Sequence, residues 1–202
     1  MVGIIDYGVG NLFSLVSSLK FLGIDAKLVS DKKGIDECDR IILPGVGAFG
    51  DAAKALSKNG LDQIIKQVAS EGKPLLGICL GMQLLFEKGY EFGEHDGLGL
   101  IPGSVVSIEP LAQGNKIPHI GWNGLLFTEN KSDIYKYVND GDCVYFVHSF
   151  HAECPKEYIT AQTEYGGILT ASVQNKNVMG AQYHPEKSGE IGLKILKSFC
   201  EF

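Results

Sequence analysis

The run Gly77-Ile-Cys-Leu-Gly81 constrains this chain more than any other stretch. Before it, Pro74 to Ile78 is a short apolar segment set off by Pro and Gly, the pattern of a buried strand. After it, Leu80 to Glu87 consists of good helix formers, with Leu80, Leu84 and Leu85 on one face, which predicts a helix. Cys79 stands at the junction with a glycine two residues away on each side, so the spacing is that of a Gly-x-nucleophile-x-Gly elbow. Glycines permit a turn too tight for side chains, and the turn lifts the sulfur above the sheet edge. The free N–H groups of the following helix would favour thiolate over thiol. A small buried Cys in an ordinary strand–helix turn fits the same five residues. The rest of the chain must supply oxyanion donors, a base and an acid.

The elbow implies a parallel sheet, and the first half of the chain agrees. Val2 to Asp6, Ala26 to Val29 and Arg40 to Leu43 read as strands, alternating with helices near Leu12–Leu22, Ala52–Ser57 and Leu61–Ala69. That alternation predicts a mostly parallel, doubly wound α/β sheet with helices on both faces. Asn11 is the expected cap of the first helix. Gly8-x-Gly10 lacks the third glycine of a dinucleotide fingerprint, since Phe13 stands there. From Gly97 onward the texture changes to short strands with turn punctuation: 105–108, 124–127, 144–147, 159–163, 169–173 and 178–182. These predict added antiparallel strands in the C-terminal half, closed by a helix over 190–202. Without a linker, residues 1–202 read as one domain. Trp122, the only tryptophan, is expected in the core.

Composition excludes several function classes. A net charge of −6 argues against nucleic acid as a partner. Five cysteines without Cys-x-x-Cys spacing predict neither a zinc site nor a dithiol, so no metal is expected. No basic signal region or long uncharged apolar run appears, so neither export nor a membrane is expected. A free reactive thiol suits a reducing cytoplasm.

An elbow nucleophile needs N–H donors for the oxyanion, a base, and a group to orient the base. Leu80 N–H is one donor. The loop Pro44-Gly45-Val46-Gly47 closes the strand expected beside the elbow strand, so Val46 and Gly47 are the best further candidates. Of the five histidines, His95 lies in a polar loop and is expected to face solvent; His148 and His151 could line a pocket but lack a nearby acid. His184 is followed by Pro185 and Glu186 at the end of a strand. Residues two apart in an extended segment share a side, so Glu186 can hold one imidazole tautomer. The result is a Cys79-His184-Glu186 triad.

With the last two members adjacent and in this order, the triad resembles that of the class I glutamine amidotransferases. Six segments carry the resemblance across nearly the whole chain: Asp6–Asn11, Pro44–Gly47, Gly77–Gln83, Pro118–Asn123, Tyr145–Ser149 and His184–Ser188. Within the family they are most similar to the glutaminase branch that serves imidazole glycerol phosphate synthase. The resemblance implies hydrolysis of glutamine to glutamate and ammonia, with no cofactor. It further implies a heterodimer with a (β/α)8-barrel cyclase, which combines the ammonia with a ribonucleotide in histidine biosynthesis to give imidazole glycerol phosphate and an aminoimidazole-carboxamide ribonucleotide. Gly47, Gln83, His148, Ser149 and Phe150 match family positions around glutamine, and Asn11, Trp122 and Lys187 match motifs on the partner side. A stand-alone Cys hydrolase and a binding module without catalysis are the competing classes.

Overall fold

The computed structural model describes residues 1–202. Chain order is β1 (Val2–Ile5), α1 (Leu12–Phe21), β2 (Ala26–Val29), α2 (Lys32–Asp36), β3 (Arg40–Leu43), α3 (Phe49–Lys58), α4 (Leu61–Ser70), β4 (Leu75–Ile78) and α5 (Leu80–Gln83). There follow β5 (Phe86–Gly89), β6 (His95–Asp96), β7 (Ile101–Ser107), β8 (His119–Gly124), β9 (Leu126–Phe127), β10 (Cys143–His148) and β11 (Phe150–Glu153). The chain ends in β12 (Ile159–Tyr165), β13 (Gly167–Asn175), β14 (Val178–Ala181) and α6 (Gly189–Glu201).

The large sheet has the order β2-β1-β3-β4-β14-β13-β12-β9. Its first five strands run parallel and its last three are added antiparallel. This is the α/β architecture that the strand–helix alternation predicts, with the antiparallel extension in the second half. Alternate strand residues feed two cores. Ile5, Ile41, Leu43 and Leu75 pack with Ala52, Leu56, Ile65 and Val68 of α3 and α4. Ile4, Ile42, Leu76 and Ile78 pack with Leu15 and Leu19 of α1 and Ile195, Leu196 and Phe199 of α6. Burying both faces explains why the parallel strands read as continuous apolar runs rather than as alternation. A two-stranded ribbon, β8–β10, and a four-stranded sheet, β11-β7-β5-β6, lie apart from the main sheet.

Four local expectations fail, each for a tertiary reason. The elbow helix ends at Gln83, and Phe86 begins a strand. The carbonyls that would continue the helix are taken by the returning chain: Leu98 N–H donates to Leu84 O at 2.8 Å, Leu100 N–H to Leu85 O at 2.8 Å and Gly99 N–H to Phe86 O at 3.0 Å. Asn11 occupies the N-cap position of α1, but its side chain makes no capping bond. Trp122 is 56% exposed, because β8 belongs to a two-stranded ribbon that packs only its His119 face, leaving Ile120 and Trp122 outward. His95 is half-buried, since β6 folds back on α3 so closely that a Cβ on Gly50 would sit 2.6 Å from the His95 ring.

Candidate active site

Three adjacent strand ends build the site: β3, β4 and β14, all parallel, finish on the same edge. Ligand sites gather at carboxyl ends of parallel strands because the connecting loops meet there. Cys79 follows β4 and is held to β14 by its N–H, which donates to Ala181 O at 2.7 Å. Its backbone has φ 54° and ψ −112°, a conformation that L residues rarely adopt and that persists only where the surroundings enforce it. One enforcing contact is Gly81, where a Cβ would lie 1.8 Å from Leu43 O. The turn can pass under β3 only with glycine at that position.

The loop Pro44–Gly47 leaves β3 beside the elbow. Gly47 has φ +98°, in the left-handed region that glycine adopts freely. The base of the loop is fixed by Tyr7, whose buried hydroxyl donates to Pro44 O at 2.8 Å. Burial, and then the charge of Cys79, raise the Tyr7 phenol well above its ordinary range, so it stays a donor.

His184 lies just past β14. Its N–H donates to Tyr145 O at 3.0 Å, and the Ser188 hydroxyl donates to His184 O at 2.6 Å while accepting from Tyr145 N–H at 2.9 Å. The imidazole Nδ1 lies 2.7 Å from Glu186 Oε1, with both side chains almost fully buried. Glu186 Oε2 has no other partner, so the carboxylate charge acts on His184. Burial works against the imidazolium, but hydrogen bonds to Cys79 and Glu186, reinforced by their charges, outweigh it and raise His184 to about 9. The structure thus brings Cys79, His184 and Glu186 together from distant parts of the sequence.

These groups open on a cavity of about 400 Å³. Val46, Gly47, Cys79, Leu80, His184 and Lys187 line one side, and His148, Ser149 and Phe150 come from the β10–β11 connection. Gln83 also lines it; its amide donates to Phe150 O and to Gln182 Oε1, both at 3.0 Å.

The sequence pattern of the family Glutamine amidotransferase class-I matches residues 3–201. The imidazole glycerol phosphate synthase subunit HisH of Caldanaerobacter subterraneus subsp. tengcongensis is 52% identical over 202 residues, covering 100% of this chain and 98% of that one. The HisH subunit of Wolinella succinogenes is 47% identical over 204 residues, covering 100% and 99%. The chain belongs to the class I glutamine amidotransferases, in the HisH group. Among solved structures, PurLQS from Thermotoga maritima aligns with a TM-score of 0.77 at 23% identity, covering 99% of this chain and 97% of that one, a likeness of fold.

Two features in and beside the cavity of this amidotransferase escape sequence reasoning. Glu91 lines the cavity and accepts Phe49 N–H at 2.8 Å at the start of α3. It lies in the β5–β6 loop, which reads as helix end and polar loop in the sequence. Gln182 is fully buried and its Nε2 lies 3.8 Å from Cys79 Sγ. The sequence does signal Gln182, since residues two apart in an extended segment share a side and His184 stands two beyond it. His148 is pushed down to about 3, mainly by burial, with the Phe150 carbonyl acting in the opposite direction. Of the residues expected on the partner side, Trp122 and Lys187 flank Tyr145: the Trp122 ring centroid lies 6.0 Å from it edge-on, and Lys187 Nζ lies 6.0 Å from its centroid. Asn11 begins α1, which contacts the Pro185–Lys187 turn. No helix is long and apolar enough to cross a membrane.

Proposed function

We propose that this HisH-type chain hydrolyses glutamine through Cys79, His184 and Glu186 and delivers the ammonia to a (β/α)8-barrel cyclase. Cys79 sulfur attacks the side-chain amide carbon, and the carbonyl oxygen becomes an oxyanion held by the N–H groups of Leu80 and of Val46 or Gly47. His184, carrying a proton at neutral pH, gives it to the departing nitrogen as the C–N bond breaks. A γ-glutamyl thioester remains on Cys79. His184, now neutral, takes a proton from water; the hydroxide attacks the thioester, and glutamate leaves as the C–S bond breaks. Glu186 holds the imidazole tautomer and balances its charge throughout. Free glutamine is a zwitterion, so its ammonium needs an anion in the cavity, and Glu91 supplies one. Gln83, His148, Ser149 and Phe150 form the wall against which the substrate is read.

The observation that carries this reading is the buried His184–Glu186 pair at 2.7 Å, aimed at an elbow cysteine in a cavity of about 400 Å³. The HisH relatives, subunits of a synthase, and the exposed Trp122 and Lys187 beside the site support the partner. The test is glutamate and ammonia release measured on the chain alone, with the barrel cyclase, and with cyclase plus its ribonucleotide. Equimolar release that rises on adding the loaded partner is expected. Turnover equal in all three states overturns the coupling and favours a stand-alone hydrolase; no glutamine hydrolysis in any state overturns the activity itself.

A further inference from the structure

Gln182 is placed beside the nucleophile by the sheet itself. β14 and β4 pair in parallel with Ala181 opposite Ile78, so the next residues, Gln182 and Cys79, stand side by side. Two backbone bonds fix that step: Cys79 N–H donates to Ala181 O at 2.7 Å, and Gln182 N–H to Ala171 O at 2.9 Å. The Gln182 side chain is fully buried and does not line the cavity. Burying an amide is costly unless its hydrogen-bonding ends are occupied. Here Oε1 accepts from Gln83 Nε2 at 3.0 Å, and Nε2 lies 3.8 Å from Cys79 Sγ.

Gln83 decides which way this amide faces. Its Nε2 also donates to Phe150 O at 3.0 Å, and a carbonyl only accepts, so the nitrogen belongs on that side. The Gln182 atom that meets the same nitrogen is then the oxygen, which leaves the Gln182 NH2 facing the sulfur. Turning Gln182 alone sets two NH2 groups against each other. Turning both amides sets Gln83 Oε1 against Phe150 O at 3.0 Å. In the observed arrangement every link has one donor and one acceptor, and both amides are neutral.

The sulfur responds to such a donor in only one of its states. A thiol is a weak acceptor, whereas a thiolate takes a charge-assisted hydrogen bond roughly twice as strong as a neutral one. Val147 O, 4.0 Å from Sγ, acts the other way, because it can receive only from a thiol S–H. His184 is the other donor to Sγ, with Glu186 behind it. The remaining titratable groups around the sulfur are the Tyr7 phenol and, across the cavity, His148, Glu91 and Lys187.

We propose that Gln182 is a further catalytic residue: its amide donates to the Cys79 thiolate, holds it against Val147 O, and is itself oriented by Gln83. The wall at Phe150 thereby sets the direction of a donor at the nucleophile, through two side-chain amides. When the sulfur bonds to the substrate carbon, its charge passes to the substrate oxygen. The Gln182 bond therefore acts on the thiolate that precedes attack, and the oxyanion donors act after it. The thiolate half of the proposal stands without the glutaminase reading; the turnover half rests on it.

The experiment follows iodoacetamide labelling of Cys79 against pH, by peptide mapping, in the full chain and in Gln182→Met, which is similar in shape and has no amide. Iodoacetamide does not need the glutamine wall, so the lost Gln83 bond does not enter the readout. The labelling midpoint should move up by about one pH unit, the tenfold scale of one hydrogen bond to a charged group. Well above the midpoint the variant should label at least as fast as wild type, since a less stabilised thiolate is the stronger nucleophile. Glutamine turnover with the loaded cyclase should show the same shift in its acid limb. An unmoved midpoint overturns the proposal, and so does a variant slower by one factor at every pH, the mark of a purely structural role. A shifted midpoint in a protein that hydrolyses no glutamine supports the donor and overturns the glutaminase reading. Should Gln182→Met not fold, the wild type labelled with 15N-glutamine decides. One proton of the Gln182 side-chain NH2 should lie downfield, and that shift should be lost on acidification through the midpoint and in Cys79→Ala. A Gln182 resonance indifferent to both overturns the proposal.

Discussion

The two walls of the cavity are built on different principles. One wall comes from the parallel sheet: the elbow, the Pro44–Gly47 loop and the His184 turn leave neighbouring strands β3, β4 and β14 on one edge. Its geometry is enforced by backbone, as at Gly81, where no side chain fits under Leu43 O. The other wall comes from the β10–β11 connection and is held by side chains: His119 behind it bonds His148 of the wall, and Gln83 beside it donates to Phe150 O. Two buried histidines stand on opposite walls with opposite tendencies: His184 is raised to about 9 and His148 is pushed down to about 3. On the proposed reading, the chemistry stays on the backbone-built wall, and the other wall would contact substrate without competing for its proton.

The sharpest break between the walls is chemical. Cys79→Ala should abolish glutamine hydrolysis by several orders of magnitude, as removal of a nucleophile does in triad enzymes, and leave the fold intact. Residual turnover within about tenfold of wild type, on the scale of one weak interaction, would move the chemistry to another residue. Glu186→Gln keeps the shape and removes the charge that supports His184. Turnover should drop roughly a hundredfold or more, with KM little changed, because Glu186 acts on the reacting atoms through His184 and does not itself line the cavity. A KM effect without a kcat effect would transfer Glu186 to substrate binding.

That contrast also explains what the sequence could and could not reveal. Elbow, oxyanion loop and His-Pro-Glu turn are local patterns: glycine and proline state their backbone demands within a few residues, and the parallel strands announce themselves as apolar runs. The second wall depends on pairings between distant segments. His119 meets His148 only because β8 and β10 pair in that register, and nothing near either residue specifies it. Leu84 to Phe86 misled for the same reason, since residues with good helical propensity were claimed by the returning chain at Leu98 to Ile101. Trp122 departs from the burial usual for its residue type because β8 lies in a two-stranded ribbon with one face open.

The opposed histidines give a smaller, thermodynamic contrast. An unfolded histidine titrates near 6.5. His184 is raised in the fold, so its contribution to stability is fully present below about 6.5 and is lost as pH rises through about 9. His148 is lowered, so its contribution is present above about 6.5 and is lost as pH falls toward about 3. Urea unfolding across pH should therefore show stability declining on both sides. Glu186→Gln should flatten the alkaline limb and His148→Gln the acid limb. An acid limb unchanged in His148→Gln would pass that role to His151, which is also lowered by burial and whose ring nitrogens have no partners. Least of all should change in Trp122→Ala: the side chain is 56% exposed, so stability should shift by no more than about 0.5 kcal/mol and basal glutaminase should hold, while stimulation by the cyclase weakens. Undiminished stimulation would remove Trp122 from the partner face.

The central claim, that the elbow cysteine carries the glutamyl group, is tested most directly by trapping it. Wild-type protein mixed with glutamine in the presence of the loaded cyclase is quenched in acid within the first turnovers, and its intact mass and peptides are measured. The account predicts a γ-glutamyl adduct confined to the peptide bearing Cys79, absent in Cys79→Ala. An adduct on Cys38, Cys143, Cys154 or Cys200, or steady ammonia release by the Cys79→Ala variant, would contradict it.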